Sequence, residues 1–165
     1  MQHVEVLPGS LWLERMVSDT RRARTWKAVS FAFDDLEVKR ALLERLRSPS
    51  EFECTIVVDE RAHKARTTRG QLACLRELQA AGAKVLLAGG NNALAKQLFG
   101  RNCFGGQMHQ KAVLVDDEIA FVGSANLTRQ SRCNRELMCR IVGSSVPDIL
   151  AEISATIAAA PESRV

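Results

Sequence analysis

Between residues 25 and 90 the chain alternates short apolar runs with helix-patterned segments, and this alternation limits the available folds more than any other feature. The runs TWKAVSFAF (25–33), FECTIVVDE (52–60) and AKVLLAGG (83–90) read as strands: they are short, apolar and bounded by acidic or turn-forming residues. After the first run, Asp34 or Asp35 can cap a helix in which Leu36, Ala41, Leu42, Leu43 and Leu46 recur at helical spacing, and Ser48-Pro49-Ser50 ends it. Residues 67–82 give a second helix, stopped at Gly82. A β-α-β-α-β order predicts parallel strands joined by right-handed crossovers.

After residue 90 the pattern changes. Residues 91–108 are polar and glycine-containing, a loop or a short helix. Residues 109–116 and 119–125 read as two strands of a hairpin, 126–134 as a polar connector and 135–143 as a further strand. Residues 147–160 form a closing helix with Pro147 in its first turn. The expected architecture is α/β: a mixed, largely parallel sheet flanked by helices on both faces. It occupies residues 25–160, with residues 1–24 as an N-terminal extension or first helix.

Composition narrows the class. A chain of 165 residues makes one domain, able to bury about 70% of its unfolded surface. With 46% apolar and 25% charged residues it is an ordinary globular chain, not a disordered one. The net charge of +4 permits an anionic partner without demanding one. The five cysteines are odd in number and show no C-x-x-C spacing, which fits reduced thiols used as small hydrophobes and argues against structural zinc. The first residues lack the pattern of a signal peptide, and no run of about 18 apolar residues occurs. A cytoplasmic or otherwise intracellular protein without a membrane span is expected.

The chemistry concentrates in MHQKAVLVDDEIAFVGSAN, residues 108–126. On a strand, His109 and Lys111 point to one face. Ser124 and Asn126 share a face at the end of the next strand, and a hairpin brings that end beside the first. An imidazole, an ammonium, a hydroxyl and an amide would then converge. Lysine, serine and asparagine are donors suited to a tetrahedral oxyanion such as phosphate. The histidine is the group that can attack or exchange a proton near neutral pH.

The pattern H-x-K-x4-D (His109, Lys111, Asp116), then G-S-x-N (Gly123, Ser124, Asn126), then Glu136 resembles the signature of the phospholipase D superfamily. The likeness spans roughly Trp26 to Val142. It implies a phosphodiester hydrolase in which His109 is the nucleophile and forms a phosphohistidine. Lys111, Ser124 and Asn126 would hold the phosphate, and Glu136 would hydrogen-bond the far nitrogen of His109. The implied catalytic set is thus His109, Lys111, Asn126 and Glu136. Asp116 supports the hairpin turn, with Asp117 making that assignment ambiguous, and Gly123 also has a supporting place. Neither metal nor cofactor is implied, because lysine and amide donors stabilise the charge. The motif occurs once, and His3 and His63 lack a lysine two residues on, so the second histidine the reaction needs would come from another copy in a homodimer.

Arg61, Lys64, Arg66 and Arg69 follow the end of a strand, where α/β sheets place ligands. They could track a nucleic-acid backbone, or be a solvated loop of mixed charge. Arg21, Arg22, Arg24 and Lys27 fit a solvated face better. Charge favours DNA or RNA as the substrate of an endonuclease. A phospholipid hydrolase of phospholipase D or cardiolipin type, and a silent nucleic-acid-binding dimer, are the alternatives. Few aromatics are present for base stacking. GSAN is not the G-x-S-x-G elbow of serine hydrolases. Cys133 and Cys139 flank Glu136 without a base to activate them and read as packing residues.

Overall fold

A computed structural model of the chain describes residues 2–64, 69–90, 97 and 107–161. The strands are β1 (His3–Pro8), β2 (Thr25–Ser30), β3 (Glu53–Asp59), β4 (Lys84–Ala88), β5 (Lys111–Val115), β6 (Ile119–Gly123) and β7 (Leu137–Val142). The helices are α1 (Leu11–Thr20), α2 (Leu36–Leu46), α3 (Glu60–Lys64), α4 (Arg69–Ala80) and α5 (Val146–Ala159). The seven strands form one sheet in the order β1-β7-β6-β5-β2-β3-β4.

The mixed sheet flanked by helices is as expected, but its parallel part is confined to β2-β3-β4. Those two pairings are parallel and the other four are antiparallel. The cause is connection length. Helical crossovers join β2, β3 and β4, whereas β5 and β6 are joined by a turn too short to cross a sheet face. In direction, five strands still run one way and only β5 and β7 the other.

The first residues belong to the same body. β1 pairs antiparallel with β7, and α1 buries Trp12, Leu13, Met16 and Val17. Pattern alone does not announce β1, since only Leu7 of its six residues is buried.

The strand period of two sorts side chains into two cores. Trp26, Ala28, Ile56, Val58, Val113, Val115 and Phe121 face α1, α2 and α4. Val29, Val57, Leu86, Ala112, Leu114 and Ala120 face the other way, onto Val146 and Ile153 of α5. Cys54 and Cys74 lie buried in the first core, as small hydrophobes. Burial pushes the Cys54 thiol far up. Cys133 instead is exposed, so packing does not explain it, and Cys103 lies outside the described residues.

Candidate active site

The strand directions bring the C-terminal ends of β2, β3, β4 and β6 to one end of the sheet, beside the N-terminal ends of β5 and β7. Open α/β sheets place ligands at such ends. His109 lies there, exposed, two residues before β5 begins. Gln110 turns toward α5, donating to Glu152 Oε1 (2.7 Å) and accepting from Thr156 Oγ1 (2.8 Å). His109 and Lys111 turn the other way together. Lys111 Nζ is 3.1 Å from His109 Nδ1 and donates to the His109 carbonyl oxygen at 2.9 Å. The Phe31 ring tilts against the imidazole, with centroids 5.6 Å apart. Burial lowers the Lys111 pKa, and the Glu136 carboxylate pulls it partly back.

Ser124 and Glu136 meet across the β6–β7 end. Ser124 Oγ donates to Glu136 Oε2 (2.5 Å) and accepts from Leu137 N (3.1 Å), while Asn134 Nδ2 donates to Glu136 Oε1 (3.1 Å). The Ser124 hydroxyl thus orients this carboxylate. Among the described residues no hydrogen bond joins Glu136 to His109, whose Nδ1 faces Lys111.

Asn126 is delivered by the connector, which is pinned to the end of β2. Leu127 N donates to Ser30 Oγ (3.1 Å), and Ser30 is the register partner of Lys111. Leu127 O accepts from Asp34 N and Asp35 N, and Arg129 N donates to Asp34 Oδ1. Arg132 grips the fully buried Asp35 with two bonds of 2.7 and 2.9 Å, and Asp35 also caps α2. Asn126 Oδ1 is buried without a hydrogen-bond partner among the described residues.

Asp116 stands at the opposite end of β5. Asp116 and Asp117 both have positive φ, 55° and 56°, as a tight hairpin turn requires. Asp116 Oδ1 accepts from Arg24 N (2.6 Å) and Thr25 N (2.8 Å), tying the turn to the start of β2. Asp117 pairs instead with Lys27. Of the two acids, Asp116 is the one that ties the turn to the start of β2. Gly123 abuts β7 so closely that a Cβ there would lie 2.2 Å from Leu137 O.

The basic segment does not begin as a loop. Its first residues form α3, on which Arg61 is exposed. Arg66 and the Lys64 side chain lie outside the described residues. His63 is on α3 at the same sheet end as His109, while His3 starts β1 at the far end. Asp59, near the end of the strand run 52–60, is the fully buried last residue of β3, and its Oδ2 accepts from Met108 N (2.8 Å). An acid closing an apolar strand was the available signal.

Two clefts flank His109. One, of about 410 Å³, lies between Gly89, Gly90, Met108, Glu152 and Thr156; the other, of about 470 Å³, between Val29, Lys111, Gly123, Asp148 and Ile149. Among the described residues, no group of three or more His, Cys, Asp or Glu could hold a metal ion, and no helix is long and apolar enough to cross a membrane.

Comparison with known proteins agrees with this geometry. Residues 21–159 match the family described as "Cardiolipin synthase, PLD-like domain". NucT from Helicobacter pylori superposes with a TM-score of 0.83 at 18% identity, covering 99% of this chain and 100% of that one. Nuc from Salmonella typhimurium, a phospholipase D family member, gives 0.76 at 18% identity with both chains covered fully. Phosphatidylserine synthase from Haemophilus influenzae gives 0.66 at 14% identity, and 99% of this chain matches 40% of that one. No curated protein sequence matches. With the family match spanning residues 21–159, most of the chain, this chain belongs to the phospholipase D superfamily.

Proposed function

We propose that this phospholipase D superfamily enzyme is a metal-independent endonuclease, cleaving DNA or RNA through a phosphohistidine in a site shared by two copies. The observation that carries the reading is the contact of Lys111 Nζ with His109 Nδ1. It pairs a nucleophile with a cation at an open sheet end between two clefts.

Lys111 Nζ donates to the His109 carbonyl oxygen and, when Nδ1 is unprotonated, to Nδ1 as well. An arriving phosphodiester competes for this ammonium. As Lys111 turns to the phosphate oxygens, Nδ1 can carry the ring proton and Nε2 is left with a free lone pair. Nε2 attacks phosphorus in line, and the P–O bond to the leaving group breaks. His109 of the partner subunit donates the proton that the leaving oxygen needs. Water then attacks phosphorus as the P–N bond breaks, giving its proton to that same histidine and releasing His109. Lys111 and the Asn126 amide stabilise the charge on the transferring phosphoryl group.

Support for pairing of two copies comes from the sheet. By register, Val4, Val6 and Leu137 lie on the face that α5 covers only in part, and they are 47%, 57% and 54% exposed. Leu137, at one end of this strip, directly follows Glu136 in the chain. For nucleic acid, support comes from the +4 net charge and from exposed Arg61 and Arg135 at the same sheet end. The family's description names cardiolipin synthase, which supports a second reading with a phospholipid as the substrate.

The test is cleavage of end-labelled single- and double-stranded DNA and RNA in excess EDTA, wild type beside His109→Ala. Histidine-dependent cutting that weakens steeply with salt supports the proposal. Cutting of phosphatidylglycerol or cardiolipin vesicles instead establishes the second reading. Binding without turnover on any diester leaves a silent nucleic-acid-binding dimer. Active protein that is monomeric by light scattering overturns the shared site.

A further inference from the structure

We infer that Asp59 is a positioning residue for His109, acting through the backbone of Met108; the inference rests on the phosphodiesterase reading above. His109 has no ladder bond of its own, because the β2–β5 register ends at Ser30 and Lys111. On its other side the chain is held by Asp59. This carboxylate is fully buried and divides its oxygens between two tasks. Oδ1 accepts from Arg61 N (2.9 Å) and Ala62 N (3.0 Å) at the start of α3. Oδ2 accepts from Met108 N (2.8 Å), across 49 residues of sequence. The Met108 side chain is itself 5% exposed and sits in the core beneath α5. The nucleophile thus hangs between two fixed points, the β5 ladder at Lys111 and the Asp59 clamp at Met108. In-line attack needs such definition, since a misplacement of roughly 1 Å costs on the order of 100-fold in rate.

Asparagine separates clamp from bulk. It has one acceptor oxygen and one amide, so it cannot serve both the α3 amides and Met108 N. The experiment compares Asp59→Asn with Leu78→Ala, a cavity in the other core, where Leu78 of α4 is fully buried. Readouts are kcat and KM on a labelled single-stranded oligonucleotide, corrected for folded fraction, and the imidazole NMR signals of His109. Asp59→Asn is expected to lower kcat by about 10–100-fold, with KM little changed and the His109 signals shifted. Leu78→Ala should leave both at wild-type values despite its lower melting temperature. Asp59→Asn with wild-type kcat and unmoved His109 signals overturns the inference, as does an equal effect in Leu78→Ala. Should Asp59→Asn not fold, Asp59→Ser keeps a single-oxygen cap for α3 without the second acceptor and is read the same way. If the wild type cleaves no diester, the enzymatic reading fails, while the His109 signals alone still decide the positioning role.

Discussion

Lys111 Nζ stands 3.1 Å from His109 Nδ1 and 2.9 Å from the carbonyl oxygen of the same residue, so ammonium and imidazole are held as a unit. Partial burial works against that ammonium and lowers its pKa, with Glu136 opposing. The lysine therefore binds fewer protons folded than unfolded between its folded and unfolded pKa values. Stability rises with pH across that window, and below it the folded state carries the full cost of the desolvated charge. Lys111→Met should accordingly melt at or above the wild-type temperature at pH 7. The same change removes a phosphate donor and should lower diester cleavage by about 100–1,000-fold or more. Calorimetry beside kinetics checks both; a clearly less stable variant, or one with near-normal kcat, refutes the trade.

Asp116 should behave in the opposite manner. It lies at the other end of β5 from His109 and holds the amides of Arg24 and Thr25. Asp116→Ala removes a charged acceptor from two backbone donors and places alanine at φ 55°. The expected loss of stability is about 2–4 kcal/mol, with kcat per folded molecule unchanged. Asp116→Asn keeps an acceptor and tolerates the left-handed turn, so it should lose clearly less. Urea unfolding with an activity assay at low denaturant distinguishes this from a chemical role, which would show as a fall in kcat without a fall in stability.

The division between scaffold and chemistry was partly legible in the sequence. Apolar runs alternating with helical spacing identified β2, β3 and β4 and the crossovers between them, because parallel neighbours demand such connections. His109, Lys111, Asn126 and Glu136 were visible as residue types whose chemistry fits a phosphate, and the fold gathers them at one sheet end. The share of antiparallel pairing was harder to see, because β1 joins the sheet edge with most of its side chains exposed. Proton direction was not legible either: that Ser124 orients Glu136 depends on Leu137 N approaching the same oxygen. Asp59 looked like one charge among many, since nothing local says that its partner is Met108, 49 residues away.

Thiol reactivity should divide the cysteines. Cys54 and Cys74 are 4% and 5% exposed, and burial raises both thiol pKa values, whereas Cys133 is exposed. A thiol reagent at pH 8 should label Cys133 at once and reach Cys54 and Cys74 only on unfolding. The unfolded Cys54 thiol ionises near 9.0, while the buried one stays protonated. Above that pH the unfolded chain binds fewer protons, so stability falls as pH rises. Cys54→Ala should reduce this alkaline loss, though the cavity lowers stability at every pH. Rapid native labelling of Cys54 by mass spectrometry contradicts the account.

Gly123 is the tightest point beside the site. It pairs with Met138 in the β6–β7 ladder, and a Cβ would fall 2.2 Å from Leu137 O and 2.8 Å from Met138 Cα. Both are backbone atoms, so no rotamer change relieves the clash and β7 itself must move. That strand begins immediately after Glu136, and the Ser124–Glu136 bond crosses the same gap. Gly123→Ala should therefore cost about 1–3 kcal/mol or more and also lower kcat beyond the loss of folded protein. Gly9→Ala is the control: its φ of 61° strains an alanine, but nothing lies within 4 Å. It should cost about 1–2 kcal/mol and leave turnover per folded molecule intact. Denaturant unfolding with single-turnover kinetics on both variants reads the difference, and Gly123→Ala retaining full turnover would show that β7 can shift without disturbing Glu136.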